Sequence, residues 1–327
     1  MPKRALITGV FGQDGSYLCE LLSGFGYSVA GVVRKKLSDN SRRIRQYLMT
    51  KGIEPSAHET DLSDYAAVAK LLDALRPDEL YHMAAMHVSS QGSEDELFEK
   101  SAFESNLAAT LNILAACRKA SPATRVVLAG SCLIYDDSDT LTQDENTPPR
   151  SNSLYGIAKI AEMSLARHYR SAGLHASTAI LYNHESSRRP DGFVTRKIAA
   201  NMVALKKGRI AGFTLGSLDA EKDWGYAGDY AMGMYLMAQQ PEGGEFVLSS
   251  GTTRTIRDFL AICAEELALR GWEDRVRIDA TLINRRIAGR LRGNPGKASA
   301  VLGWKPFLSF EDLARLMVVN ELKGELR

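Results

Sequence analysis

Short runs of wholly apolar residues alternate along the first half of the chain with longer runs in which apolar side chains recur every three or four positions. RALIT at residues 4–8 and SVAGVV at 28–33 read as buried strands. Between them Leu18, Leu21, Leu22 and Phe25 fall at helical spacing, and Gly24 and Gly26 supply a stop signal. The same reading predicts a helix over 65–75 and a strand over 79–83. A helix over about 104–120 then leads to a strand at 125–128, and one over 153–172 leads to a strand at 175–182. Strands apolar on both faces, joined by amphipathic helices, predict an α/β fold. Its core is a doubly wound parallel sheet covered on both sides, with right-handed crossovers. Beyond Tyr182 the alternation loosens. Residues 185–191 are polar and basic, and helices are expected near 195–207, 256–269 and 310–322.

At 327 residues the chain has room for this sheet and a smaller second unit, with a core that needs no staples. A hydrophobic share of 45% with 24% charged residues excludes a disordered or collagenous chain. Lys and Arg number 41 against 39 Asp and Glu, so nothing suggests nucleic acid or an anionic membrane as partner. No apolar run reaches the ~18 residues of a spanning helix. The opening MPKRALITGVFG has no signal-peptide core, so a cytoplasmic protein is expected. Cys19, Cys117, Cys132 and Cys263 are scattered without CxxC or metal-ligand spacing, which fits a reducing compartment and no metal site.

The first strand runs through Thr8-Gly9-Val10-Phe11-Gly12-Gln13-Asp14-Gly15 into the first helix. Glycines here permit a tight turn and let backbone N–H groups approach a diphosphate at the helix N-terminus. The spacing is GxxGxxG rather than GxGxxG, and its place between a strand and an amphipathic helix points to a dinucleotide. An NAD site usually carries a carboxylate at the end of the second strand. Here Val33 is followed by Arg34, Lys35 and Lys36, which would attract a 2′-phosphate. NADP is therefore expected. Asp61 and Leu62 follow the third strand, at the adenine edge. Met83, Ala84 and Ala85 would pass under the diphosphate.

Tyr155 and Lys159 stand four apart in YGIAK, so on a helix they share a face. A phenol with a pKa near 10 is a poor base at neutral pH unless a cation such as Lys159 stabilises the phenolate. Ser131 lies just beyond the 125–128 strand. The glycine loop, this serine and YxxxK together resemble the short-chain dehydrogenase/reductase superfamily, whose fold is a Rossmann-type sheet with a smaller α/β substrate-binding domain. The expected division is 1–183 plus about 226–250 for NADP, and about 184–225 with 251–327 for a nucleotide sugar.

The closer resemblance is to GDP-mannose 4,6-dehydratases and covers nearly the whole chain. It rests on ALITGVFGQDGSYL from residue 5, SLYGIAK from 153, LYNHESSRRPDGFVTRKI from 181, LGSLDAEKDWGYAGDY from 215 and LGWKP from 302. It implies NADP contacts from Gly9, Gly12, Gln13, Asp14, Gly15, Arg34, Asp61, Leu62, Tyr155, Lys159, His184 and Arg189. It implies substrate contacts from Asn183, Val194 and Lys197, the last two at the nucleobase. Lys222 takes a place usually held by Arg near the substrate. A GDP-sugar is the favoured partner. Helices 104–120 and 153–172 are expected to pack on a second copy, giving a homodimer or homotetramer.

Two segments depart from that family. Its Thr-Ser-Glu segment reads Ser131-Cys132-Leu133 here, so the proton-transferring Glu is replaced by Leu133. Its Arg-Pro-x-Glu segment reads Asn284-Arg285-Arg286-Ile287, in which Arg285 and Arg286 could still pair with a diphosphate. Three readings stay open. A dehydratase would recruit Cys132 as acid/base, if its thiol pKa were lowered. An epimerase or 4-keto-sugar reductase would need only Ser131, Tyr155 and Lys159. A catalytically weak paralogue would bind NADP and a nucleotide sugar without turnover.

Overall fold

The chain starts in the middle of a sheet, builds out to one edge, and returns to build the other. The computed structural model describes residues 2–86, 96–282 and 291–326. The strands are β1 (Arg4–Thr8), β2 (Ser28–Val33), β3 (Ser56–Glu59), β4 (Glu79–His82), β5 (Arg125–Ala129) and β6 (Ala176–Leu181). They continue with β7 (Asn183–Glu185), β8 (Phe213–Leu215), β9 (Glu221–Lys222), β10 (Trp224–Tyr226), β11 (Glu245–Leu248), β12 (Arg254–Thr255) and β13 (Val276–Ile278). Seven of them form one sheet in the order β11-β6-β5-β4-β1-β2-β3. Every pairing within it is parallel. The strand order reverses between β1 and β4, the place where doubly wound sheets open a crevice for ligands.

Helices cover both faces. On one side α1 (Gln13–Gly24), α2 (Asp39–Thr50) and α7 (Ala227–Gln239) bury Leu18, Leu22, Ile44, Leu48 and Met234 against the sheet. On the other, α3 (Tyr65–Leu75), α4 (Glu96–Ala120) and α5 (Leu154–Ser171) bury Val68, Leu72, Ile113, Leu114 and Ala166. Burying such an aliphatic side chain fully contributes roughly 1.5–3 kcal/mol, so each face is held by many modest terms. The expected strands and helices of this half are present, with α4 beginning earlier than its periodicity suggests. The helix α2 was not expected. Only Ile44 and Leu48 are buried in it, so its apolar stripe is a single i, i+4 pair. Its start is fixed instead by Ser38, whose hydroxyl accepts from the Ser41 N–H at 3.1 Å.

A separate core lies beyond the sheet. It joins α6 (Val194–Lys206), α8 (Ile256–Glu266) and α10 (Phe310–Lys323) through Met202, Leu205, Phe259, Leu260, Leu313 and Met317, with Trp224 stacked on Phe310. The chain re-enters the first unit through α7 and β11, which pairs with β6. The short α9 (Gly296–Leu302) and Trp304 also pack on the sheet side, where the indole N–H donates to the Asp229 carbonyl at 2.8 Å. All four cysteines are buried and unpaired. Among the described residues no helix is long and apolar enough to cross a membrane.

Candidate active site

The glycine loop is shaped by what its residues lack. Gly9 has φ +67°, a left-handed conformation that costs glycine little, and a Cβ there would lie 3.1 Å from the Ala84 backbone. A Cβ on Gly15 would lie 2.3 Å from the Gly9 carbonyl oxygen, so the first turn of α1 can sit on the loop only because both are glycine. Gly12 caps α1 with no side-chain hydrogen bond, leaving its first-turn N–H groups open. Ala84 closes the loop from β4 by donating its N–H to Thr8 Oγ1 at 3.0 Å, and Met83 and Ala85 are half-buried beside it.

Gln13 and Asp14 reach across to β7. Gln13 Nε2 donates to the His184 carbonyl at 3.1 Å, and its Oε1 accepts from Ser186 at 2.9 Å. His184 directs Nε2 at Asp14 at 2.9 Å and Nδ1 at the Tyr182 carbonyl at 2.7 Å, and its ring stacks on Tyr230. Burial alone would raise the Asp14 pKa, but the charge and hydrogen bond of His184 outweigh it and hold the carboxyl at about 2. Burial lowers His184 in turn, and Asp14 more than restores it, so the pair favours carboxylate and imidazolium.

Next along the chain, Arg188 is fully buried. Nε donates to the Leu326 carbonyl at 2.9 Å, Nη1 to Ser16 at 3.2 Å, and Nη2 to Glu20. Its guanidinium lies 3.8 Å from the Tyr17 ring centroid and 4.8 Å from that of Tyr47. Arg188 belongs to the LYNHESSRRPDGFVTRKI stretch, but its burial does not show there, because its partners lie far away along the chain. Its neighbour Arg189 turns the other way, pairing with Glu185 at 3.3 Å and lying over Phe193. Arg34 and Lys35 are exposed at the end of β2. Asp61 is exposed and accepts from the Ser63 N–H and hydroxyl, which lower its pKa, while Leu62 lends its carbonyl to Asn112 at 3.0 Å.

The second cluster gathers beyond β5. Ser131 caps the short turn Cys132–Tyr135 by accepting from the Leu133 N–H at 3.2 Å. Asp136 accepts from the Ser151 and Ser153 hydroxyls at 2.9 and 2.8 Å, and Ser153 caps α5. Gly156 lets that helix approach closely, since a Cβ there would lie 2.5 Å from the Leu133 carbonyl oxygen. Ser131, Leu133 and Tyr155 are thus drawn together by the start of α5.

Lys159 donates to the Ala129 carbonyl at 2.8 Å and pairs with Glu162 at 2.9 Å, with its ammonium 5.7 Å from the Tyr155 ring centroid. Burial raises the Tyr155 pKa, Lys159 lowers it, and Glu162 raises it again. Burial lowers the Lys159 pKa, but Glu162 and Tyr155 raise it further, so the lysine stays charged. The i, i+3 spacing of Glu162 from Lys159 could have exposed this partner in the sequence, and that reading missed it.

The expectation for Cys132 is corrected here. It is 4% exposed, packed with Ile134, Tyr135, Met163, Ile180 and Tyr182, and burial pushes its thiol up to about 12. Such a thiol is protonated at neutral pH and does not act as a base. Asn183 and Lys222 are half-buried on β7 and β9, while Val194 and Lys197 open α6. Arg285 and Arg286 lie outside the described residues.

A family model described as GDP-mannose 4,6 dehydratase matches residues 6–317. GDP-mannose 4,6 dehydratase 2 of Arabidopsis thaliana is 37% identical over 333 residues, covering 98% of this chain and 87% of that protein. GDP-mannose 4,6-dehydratase of Sinorhizobium fredii (strain HH103) is 35% identical, covering 98% and 97%. Among solved structures, the Thermus thermophilus UDP-glucose 4-epimerase in complex with NAD superposes with a TM-score of 0.78 at 25% identity, over 98% of this chain and 99% of that one. With its sheet topology and its match along nearly all its length, the chain belongs to the GDP-mannose 4,6-dehydratase family of epimerase/dehydratase-type short-chain dehydrogenases/reductases.

Proposed function

We propose that the protein is an NADP-dependent enzyme that acts on a nucleotide-diphosphate hexose, a GDP-sugar first of all, and opens its reaction by oxidising C4. The observation that supports this reading is that the Lys159 ammonium lies beside the Tyr155 ring on α5, a helix whose start approaches the turn that Ser131 caps. The loop suits a dinucleotide. Gly9 and Gly15 leave no room for a Cβ, and the first turn of α1 has N–H groups without a side-chain cap. Arg34 and Lys35 are exposed at the end of β2, where they would meet a 2′-phosphate, which favours NADP over NAD. When bound, the nicotinamide supplies hydride acceptance and return.

The chain's own work begins with Tyr155 removing the proton of the C4 hydroxyl. Lys159 stabilises the phenolate, and the Ser131 hydroxyl holds the C4 oxygen. Residues about 184–225 and 251–327 hold the sugar nucleotide in this reading, and 1–183 with about 226–250 hold NADP. Asn183, Val194, Lys197 and Lys222 are its substrate contacts among the described residues. Leu111 on α4 and Leu154 and Ile157 on α5 are exposed, and in this reading α4 and α5 pack on a second copy to give a homodimer or homotetramer.

A second reading, an epimerase or 4-keto-sugar reductase, is favoured by one observation: Leu133 carries no proton where the dehydratase reading wants one. Incubation with NADP and a panel of GDP- and UDP-sugars, followed by mass spectrometry, separates the two. Loss of one water supports dehydration. An isomer of unchanged mass supports epimerisation, and an unaltered panel refutes both.

A further inference from the structure

The glycine loop brings the wrong charge to an anion. From Gly9 to Gly15 it carries no cation and one carboxylate, Asp14, in the first turn of α1. A diphosphate held by the N–H groups of that turn would be repelled by a bare carboxylate. Arg188, Arg189 and Lys159 each face a carboxylate of their own, in Glu20, Glu185 and Glu162.

The compensating charge is on His184, and its two hydrogen bonds show this. Nδ1 lies 2.7 Å from the Tyr182 carbonyl, which can only accept, so Nδ1 carries a proton. Nε2 lies 2.9 Å from Asp14 Oδ1, with a second proton between them. Gln13 Nε2 donates to the same Oδ1 at 3.1 Å. Its amide cannot turn over, because Nε2 also donates to the His184 carbonyl at 3.1 Å and a flip would set two oxygens against each other. An oxygen that accepts from Gln13 at the positive end of α1 is a carboxylate oxygen. The second proton therefore belongs to Nε2, and His184 is an imidazolium. From α7, the Tyr230 ring stacks on it with centroids 4.9 Å apart and planes at 22°, which favours the charged form. From β10, the residue opposite His184 is Gly225, which has no charge to add. Arg189, in the turn after β7, opposes the imidazolium, and so does burial. Asp14 outweighs both and holds the His184 pKa above its ordinary value.

We propose that His184 is a positioning residue of the dinucleotide site, whose fixed positive charge cancels Asp14 and so lets the glycine loop accept a diphosphate; this rests on the dinucleotide reading above. The proton is held, not passed on. Both ring nitrogens are engaged by the protein, so His184 acts through Asp14 and not by a hydrogen bond of its own to the dinucleotide. While the pair is ionised its net charge is zero, and the open N–H groups of α1 set the local field. Once His184 is neutral, Asp14 stands uncompensated in the loop. Affinity is thus highest where His184 is charged and falls as pH rises through its pKa.

The test titrates the full chain with NADP and with NAD by fluorescence, between about pH 7 and about pH 9.5, where the phosphates stay ionised. Affinity for both should fall about tenfold or more across that range. His184→Gln keeps a donor toward Asp14 without the charge, and should bind about tenfold more weakly with no pH limb. Asp14→Asn should lack the limb too, and adding it to His184→Gln should recover most of the lost affinity. NMR of the histidine ring signals in the dinucleotide-free protein reads the pair directly. His184 should titrate above about 6.5, and lower in Asp14→Asn. This titration and the limb of the unaltered protein decide the matter even where His184→Gln fails to fold. Constant affinity across the range in the unaltered protein, a His184 that titrates below about 6.5, or a double variant no tighter than His184→Gln overturns the proposal. Each of these leaves the dinucleotide reading standing, whereas no binding of either dinucleotide at any pH removes both.

Discussion

The seam from Gln13 to Arg188 and the cluster from Ser131 to Lys159 both bury charge, and they do so to opposite ends. In the seam the charged groups are all answered, although the Tyr17 hydroxyl is buried without a hydrogen bond among the described residues. Asp14 faces His184, Gln13 bonds at both ends, and Arg188 meets a carboxylate, a hydroxyl, a carbonyl and two rings. In the cluster a charged group is left partly open. The second carboxylate oxygen of Glu162 is buried without a hydrogen bond among the described residues. A satisfied network fixes one geometry, while a partly open one keeps free energy available for a ligand or a proton. Under the proposed function, the first region holds the backbone in place and the second changes protonation state.

The sharpest way to break this division is Tyr155→Phe. It should lower the rate of C4 oxidation by about 10²- to 10⁴-fold with little change in melting temperature, as read by stopped-flow absorbance and calorimetry. A large drop in stability would mean that the cluster is also a structural support. The opposite substitution, Arg188→Met, should cost about 3 kcal/mol in a denaturant titration, because Glu20, Ser16 and the Leu326 carbonyl each lose their donor. Its oxidation rate per folded molecule should stay near that of the parent. A stable Arg188→Met would remove the structural half of the argument.

At the margin of the first region, Arg34→Asp should reverse the preference for NADP over NAD. One charge-assisted contact is lost and one repulsion gained, roughly ten- to hundredfold in affinity by fluorescence titration. Equal affinity of the unaltered protein for the two dinucleotides would count against Arg34.

The smallest effect sharpens the second region from inside. Glu162 raises the Tyr155 pKa by partly cancelling Lys159, so Glu162→Gln should lower it. The group then loses its proton at lower pH, and the pH profile of C4 oxidation should move toward acid. An unmoved profile would show that Glu162 only packs.

Much of this was legible in the sequence, and the exceptions are instructive. Strands such as β1 and β2 announce themselves because both faces are apolar, and Tyr155 and Lys159 because helical spacing alone puts them on one face. The helix α2 hid because two buried side chains make no period. Cys132 misled because residue type says nothing of burial, and burial decides whether a thiol can ionise. Arg188 stands in a stretch that resembles the family, but the stretch does not tell where its guanidinium goes. Its partners come from α1 and from residue 326, contacts that no local window contains.

The bond from Arg188 to the Leu326 carbonyl spans 138 residues, and this has a consequence in time. During synthesis at roughly 5–20 residues per second, the guanidinium waits about 7–28 s for the acceptor that completes its shell. The edge of β6 likewise stays open until β11 has been made. Through that interval the nascent chain carries a half-neutralised cation at its centre and an unpaired strand edge at its side. It is then that a holdase would matter most. Slow decoding between residues 188 and 326 would lengthen the exposure, whereas the same pause placed earlier would not.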